Sequence, residues 1–455
     1  MGENEITMKR HVPKILLALM VAIPALAGAA QAQKDAGVLG LQEAINIALK
    51  QNPQVTQFKE AANVAKEEIG VQRGALLPQA GFTGNLFYGN AFSSRRAAGE
   101  AAVAVPGGAS GVTAIPTPEK EITTFEVYRF SFNQLLWDFG KTPSLVAGSK
   151  AGYKQSLEDY SNSRQQVVLT ARTAYFAYLA ARRAIKVAQE NVRQNQELLK
   201  QAQAFYNVGL RAKVDVTFAE SNLANAETEL IRAKNLAAVS QVELMTALGL
   251  KTWPYRKVED VLEVTPARQS LEDLKAKALQ QRPDLKRTIY QQQQDKANIR
   301  AAQADFLPSF SSFAAWGTEG SRHELEEEWW IGAAVNVPIF EGLSKYHNLK
   351  QAKAQLRSTQ ANTESVTLTV IQEVESRFQD LESAWEVIKS RTKAREAAAE
   401  NLRLAWGRYR AGVGSIIEVT DAQVRFAQAD LELVRALFDY RVVEARLDKA
   451  VGKPF

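Results

Sequence analysis

Apolar and polar residues follow one another along this chain with two different periods, and the switch between them happens twice. Over 124–134, Tyr128, Phe130 and Phe132 alternate with Arg129, Ser131 and Asn133, which predicts a strand with one apolar and one polar face. Over 331–339, Ile331, Ala333, Val335, Val337 and Ile339 alternate with Gly332, Ala334 and Asn336 in the same way. Segments 79–90 and 309–316 are weaker strand patterns, with Phe, Tyr and Trp marking their ends. Elsewhere the period is helical. Leu223, Ala226, Leu230, Ala233, Ala237, Ser240, Leu244 and Ala247 recur at spacings of three and four, and a shift of 203 gives Phe426, Ala429, Leu433, Ala436, Tyr440, Val443, Leu447 and Ala450. A seam so rich in Ala permits close antiparallel packing in coiled-coil style, and an ordinary bundle core fits it equally well.

The two stretches of alternation belong to two copies of one unit. Residues 41–78 match 271–308 without a gap at a shift of 230, through Leu41/Leu271, Ala48/Ala278, Gln51/Gln281, Pro53/Pro283, Ile69/Ile299 and Pro78/Pro308. Further on the shift is 203, as in Tyr206/Tyr409, Gly209/Gly412, Val216/Val419, Thr217/Thr420 and Gly249/Gly452. The first copy therefore holds a 27-residue excess, which falls in the Ala-, Gly- and Pro-rich loop 93–123. Each copy predicts helix, strand, loop, strand, helix, turn, helix. The first helix of each, 41–76 and 271–306, stops before Pro78 or Pro308, because proline cannot continue the hydrogen-bond ladder. Between Gly140 and Gly209 no proline follows Pro143, so a continuous helix there would reach about 100 Å. The expected geometry sets that helix beside two shorter ones stacked end to end, 209–249 and then 271–306. The second copy's loop, 317–328, is expected to be short and acidic.

Composition narrows the class. Lys9, Arg10 and Lys14, an apolar run over 15–26 and the small residues Ala30, Gln31 and Ala32 have the layout of a secretory signal peptide cleaved after Ala32. That run is well short of the roughly 20 residues a spanning helix needs. With no cysteine there is neither a disulfide framework nor a thiolate metal site. The 56 basic and 50 acidic residues are interspersed, with a net charge of +6, which suits solvated helix faces and argues against a nucleic-acid partner. Only His11, His323 and His347 are present, too scattered for a histidine triad or a metal cluster. Gly140, Lys141 and Thr142 lack the earlier glycine of a phosphate loop, since that place holds Leu135. No enzyme activity and no cofactor are expected.

Four strands cannot close a barrel, and open sheet edges are not tolerated in lipid. Outer-membrane barrels have even strand numbers from about 8 upward, so several chains would have to share one wall. The segments NQLLWDFGK (133–141), VPIFEGLSK (337–345), YNVGL (206–210), YRAGVG (409–414), TALGL (246–250) and KAVGK (449–453), with the two Leu-Pro helix ends, make the chain resemble the TolC family of outer-membrane efflux channels over nearly its whole mature length. The resemblance implies a mixed α and β fold, internally duplicated. In it a long antiparallel coiled-coil barrel carries a four-strand contribution per chain to a trimeric, twelve-stranded transmembrane β-barrel. It implies a homotrimer in outer-membrane lipid that exports small molecules and drugs, docked on a periplasmic adaptor, or membrane fusion protein, and an inner-membrane transporter. A type I protein secretion outlet is the alternative cargo, and a non-pore periplasmic scaffold or adaptor the alternative class.

On this reading the chain divides into a signal peptide (1–32), a periplasmic helix (33–78), a β-hairpin (79–136) with the long extracellular loop 93–123, and a helical hairpin (137–249). An equatorial connector (250–270) follows, then the second helix (271–308), second β-hairpin (309–340) and second helical hairpin (341–455).

The resemblance also implies sites. Glu418 and Asp421 fall at an acidic periplasmic constriction, Asp215 and Tyr409 at positions that hold the inner hairpin shut, and Val208, Gly209, Leu210, Gly412 and Val413 at the adaptor-docking tips. Read from the residues alone, Asp215 and Glu418 are carboxylates capping the helices after each turn, and the two glycines simply end helices. One departure is plain: the arginine that the family places two residues after the second-hairpin glycine is Gly414 here, while Arg211 stands at the equivalent place in the first hairpin. Either Arg211 substitutes or the resting state is held less firmly. Trp316, Trp329, Trp330, Tyr128 and Phe130 are expected in an interfacial aromatic belt, with core packing the alternative.

Overall fold

A computed structural model describes residues 36–89, 123–264, 270–321 and 324–453. The expected signal peptide and all of the loop 93–123 except Thr123 lie outside the described residues. The first repeat runs β1 (Ala36–Leu39), α1 (Leu41–Gln51), α2 (Pro53–Gly74), β2 (Gln79–Gly89), β3 (Thr123–Trp137), α3 (Lys141–Asn207) and α4 (Lys213–Leu248). Then follow β4 (Tyr255–Val258), α5 (Leu271–Gln281), α6 (Pro283–Ala304), β5 (Ser309–Ser321), β6 (Glu324–Asn336), α7 (Ser344–Arg410) and α8 (Ile416–Ala450). The long helices α3 and α7 each have 67 residues, so each is about 100 Å long.

The segment 41–76, expected as one helix, is two, and so is its repeat. Asn52 and Arg282 are extended, with φ/ψ of −68°/123° and −61°/125°. The following Pro53 and Pro283 disfavour a helical residue before them and sit well at the first position of a new helix. The break has a use. Asn52 Nδ2 donates to Ala247 O (3.0 Å) and Arg282 Nη1 donates to Ala450 O (3.2 Å), so each interruption satisfies a carbonyl left free at the end of a returning helix. The helices meet closely enough that a Cβ at Gly249 would stand 2.7 Å from Gln51 O.

This contact corrects the expected stacking. α4 abuts the α1/α2 junction of its own repeat, and α8 abuts the α5/α6 junction; 271–306 does not carry on from 209–249. The connector leads the chain away, because β4 pairs in parallel with β1, Val38 opposite Lys257. The β1/β4 pair is held to α3 by Tyr175, whose buried hydroxyl lies 3.0 Å from Leu39 O and 2.9 Å from Glu259 O. Burial first, and then the charges of Glu259 and Asp260, push that hydroxyl's pKa up. Leu39, Ala44, Ala48, Phe176, Leu244, Leu248 and Leu262 fill the surrounding core. Along its length α3 packs against α2, α4, α6 and α8, and α7 against α6 and α8. The Ala-rich seam of α4 includes the buried Ala226, Ala237, Ser240, Leu244 and Ala247.

The sheet β2-β3-β5-β6 is antiparallel throughout, and β2 and β6 are its two edges. Its register separates two faces. Phe82, Leu86, Tyr88, Tyr128, Phe130, Phe132, Trp316, Trp329 and Ile331 lie on one face, all exposed. Thr83, Asn85, Arg129, Ser131, Asn133, Glu319 and Glu328 lie on the other. Trp330 must therefore leave the expected aromatic belt: it points opposite to Trp329, with the Arg129 guanidinium 4.5 Å from its ring centre. The acidic segment 317–328, expected as a loop, is largely strand, with Gly317 opposite Glu328 and Glu319 opposite Glu326. Glutamate is depleted in strands, which disguised the pattern. Strand gives way to helix through consecutive left-handed residues, Phe139 (φ 52°) and Gly140 (φ 89°) in one repeat and Gly342 (φ 60°) and Leu343 (φ 65°) in the other. Among the described residues no helix is long and apolar enough to cross a membrane, which says nothing of a β-barrel.

Candidate gate at the hairpin tips

The two helical hairpins end in turns built alike. Gly209 (φ 73°) and Gly412 (φ 79°) take the left-handed conformation that closes a helix, and Leu210 N donates to Phe205 O (2.9 Å) as Val413 N donates to Arg408 O (3.1 Å). Behind the turns one apolar cluster joins the hairpins: Leu198, Ala202, Val216 and Ala219 from the first, Leu402, Ala405, Tyr409, Ile416, Val419 and Ala422 from the second. The tips themselves leave Val208, Leu210 and Val413 about 70% exposed.

Tyr409 is fully buried in that cluster, its ring centre 5.5 Å from that of Phe205 and 6.3 Å from that of Trp406. Among the described residues its hydroxyl has no hydrogen-bond partner. Burial raises its pKa, the charge of Asp215 raises it further, and Arg211 opposes both, so the phenol stays protonated at neutral pH. Asp215 is half-buried in the first turn of α4. The tips thus bring Tyr409, Asp215 and Arg211 together electrostatically.

Among the described residues, Arg211 supplies the direct polar tie between the turns. Its Nη2 donates to Gly414 O (2.6 Å) and Gly412 O (3.2 Å), and its guanidinium lies 5.9 Å from the Tyr409 ring centre. The reason position 414 holds no arginine is steric: a Cβ there would stand 2.9 Å from Tyr409 N and 3.0 Å from the Arg408 carbonyl carbon. The tightly wound second turn excludes a side chain, and the arginine of the first hairpin reaches its carbonyls instead.

Neither carboxylate is the N-cap residue, which corrects that part of the capping alternative, but both lie in the first turn of their helices, where the N-terminal dipole favours them. The N-cap residues are Ala212, without a side-chain bond, and Ser415, whose Oγ accepts from Glu418 N (3.2 Å). Glu418 and Asp421 are exposed, but each is paired: Glu418 with Arg408 Nε (2.9 Å), Asp421 with Arg425 Nε (2.7 Å). The sequence reading missed Arg408, Arg425 and Ser415. Two signals were there, the Ser-x-x-Glu capping box at 415–418 and the four-residue spacing of Asp421 and Arg425. Beyond the tips a groove of about 800 Å³ runs between α4 and α8, floored by α3 through Asn191 and Asn195. Among the described residues no cluster of His, Asp or Glu is arranged to hold a metal ion.

The family model described as outer membrane efflux protein matches residues 44–250 and 274–453. The chain is 23% identical over 418 residues to outer membrane protein TolC of Escherichia coli strain K12, covering 88% of this chain and 80% of the relative. It is 24% identical over 422 residues to the toluene efflux pump outer membrane protein TtgC of Pseudomonas putida, covering 90% and 82%. In three dimensions it matches outer membrane protein VceC of Vibrio cholerae with a TM-score of 0.73 at 17% identity, covering 91% and 96% of the two chains.

Proposed function

Because the chain belongs to the outer membrane efflux protein family, we propose that it works as a trimeric channel-tunnel of the outer membrane, exporting small molecules handed over by a periplasmic adaptor and an inner-membrane pump. The observation that carries this reading is the sheet. One face exposes Phe82, Leu86, Phe130, Trp316, Trp329 and Ile331, the other is mostly polar although it also carries Phe87, Phe313 and Trp330, and among the described residues the outer edges of β2 and β6 have no strand partner. Such a sheet suits lipid on one side and a wet lumen on the other once several copies close the wall. The helices, about 100 Å long, carry the lumen away from the membrane. Its test is complementation: in a Gram-negative host stripped of its own channel, with the matching adaptor and pump supplied, the chain should restore resistance to small toxic compounds. Secretion of a polypeptide without any change in resistance would favour the type I outlet instead.

The tips are the closed end of the tunnel in this account. Arg211 ties the two hairpins of one chain, Tyr409 and Asp215 sit behind the tie, and Glu418 and Asp421 would be repeated around the axis by the copies. Carboxylates ringed around a narrow pore favour cations. Since Arg408 and Arg425 face them, removing the carboxylates unmasks two positive charges per chain. Glu418→Gln with Asp421→Asn is therefore expected to lower the cation-over-anion permeability ratio by about threefold or more, read from reversal potentials in a salt gradient. An unaltered ratio would remove these two residues from the gate. Exposed Val208, Leu210 and Val413 beside Gly209 and Gly412 give an adaptor an apolar tip to hold, and the groove between α4 and α8 offers a berth for a helix next to it.

A further inference from the structure

We propose that a basin between α3 and α6, beside the foot of the sheet, binds a phosphate-bearing anion of two or more negative charges through Lys150, Lys154, Lys296 and Arg300. The site goes beyond the channel reading, because its charge and shape belong to a single chain. The basin has a volume of about 250 Å³, and the buried Ala151 and Ala297 form its floor. All four cations around it are exposed.

Elsewhere these two helices pair their charges. Towards the sheet, Lys141 Nζ meets Asp305 Oδ1 at 2.6 Å, and on the far side of the basin Arg287 Nε meets Asp159 Oδ1 at 3.0 Å. Between those pairs, residues 142–157 of α3 hold no acidic side chain and residues 288–304 of α6 hold only Asp295. Asp295 is buried and engaged elsewhere, accepting from Thr359 Oγ1 of α7 (2.6 Å) and from Gln291 Nε2 (3.2 Å). Glu158, one turn beyond Lys154, interacts with Lys286. Among the described residues no carboxylate pairs with any of the four cations. Lys154 Nζ lies 5.5 Å from the centre of the Tyr290 ring.

Lys150 and Lys154 stand four residues apart, as do Lys296 and Arg300, a spacing at which like charges repel. Four positive groups gathered on neighbouring helices raise the local potential, and an anion that touches both helices lowers it. One negative charge would leave most of the excess in place. The match is to a group with several oxygens and at least two charges, as in a phosphate ester or pyrophosphate. Lysine holds such a group as a point charge and arginine as a planar fork, and the basin offers both.

Placement adds to the case. At about 1.5 Å per residue, Arg300 lies about 6 Å from the end of α6 and Lys150 about 14 Å from the start of α3, the two ends that join the sheet. The basin is also clear of the lateral edges of the helical layer: α3 packs between α2 and α6, and α6 between α3 and α7. It opens on one face of that layer, within reach of a dissolved phosphate species or, on the reading that the sheet lies in lipid, of a headgroup.

Lysine acylation of the purified full-length protein, read peptide by peptide by mass spectrometry with sodium pyrophosphate as the probe, tests the site. In nonionic detergent at constant ionic strength, pyrophosphate should slow acylation of Lys150 and Lys296 at least about fivefold and leave the exposed Lys234 and Lys251 at their own rates. In Lys154→Gln with Arg300→Gln, the pyrophosphate concentration for half-protection should rise at least about tenfold. Both substitutions are at exposed positions, and unchanged rates at Lys234 and Lys251 check that the fold is kept. Equal slowing at all four lysines, slowing at none, or the same half-protection in the variant overturns the site. Bilayer discs separate the sources. Protection of Lys150 and Lys296 without pyrophosphate in discs containing phosphatidylglycerol, and not in phosphatidylcholine alone, supports a headgroup in the basin. Protection that needs pyrophosphate in both discs supports a dissolved phosphate species. None of these readouts requires conduction, so this site and the channel reading fail separately.

Discussion

Arg211→Ala is expected to raise the resting conductance of the channel by about two orders of magnitude. The guanidinium makes two charge-assisted bonds, to Gly412 O and Gly414 O, across the turns of the two hairpins. Such bonds contribute about 1.5–3 kcal/mol each when sheltered, and with Arg211 half-exposed we take about 1 kcal/mol for the tie as a whole. If three tips open together, the loss is about 3 kcal/mol, or roughly 150-fold in the closed-to-open equilibrium. Arg211→Lys should recover part of this, because an ammonium keeps the charge but loses the planar fork. Gly414→Arg should not recover it in the Arg211→Ala background, since a side chain at 414 runs into Tyr409 N and the Arg408 backbone. Single-channel recordings of the three variants decide the matter, and a wild-type conductance in Arg211→Ala would remove the tie from the gate.

Ile331→Arg has the second large effect. Ile331 is 76% exposed on the apolar face, near the middle of β6. A charge on the lipid face near the bilayer midplane costs about 2–4 kcal/mol, and in the proposed shared wall that cost would apply once per copy. Little heat-resistant multimer should then be recovered from the membrane fraction. Thr83→Arg introduces the same charge on the opposite, polar face and should assemble as the unmodified chain does. Equal recovery of both variants would mean that the two faces have been assigned to the wrong solvents.

Most of the fold was open to reading because it is written twice. A period of two at Tyr128, Phe130 and Phe132 marks β3, and the proline-free run after Pro143 marks α3. What the sequence hid depends on contacts between distant segments. Pro53 breaks the first helix where Asn52 meets Ala247, 195 residues on, and no local pattern announces that the helix ending at Leu248 arrives there. Trp329 and Trp330 look alike in composition, and only strand geometry sends them to opposite faces. At the tips the turn glycines were legible, since few residues other than glycine close a helix with positive φ. The partners of the carboxylates were not, because Arg408 lies ten residues before Glu418 on the far side of a turn. The resemblance marked position 414 as the place for an arginine. The backbone packing that excludes it there, and the reach of Arg211 to replace it, are properties of the folded turn.

Conductance tests the central claim most directly. The mature protein, purified in detergent and added to planar lipid bilayers, should insert as a multimer and give discrete, cation-selective current steps that grow markedly in the Arg211→Ala variant. Protein released by osmotic shock as a water-soluble species, leaving bilayers silent in both forms, would contradict a pore through the outer membrane.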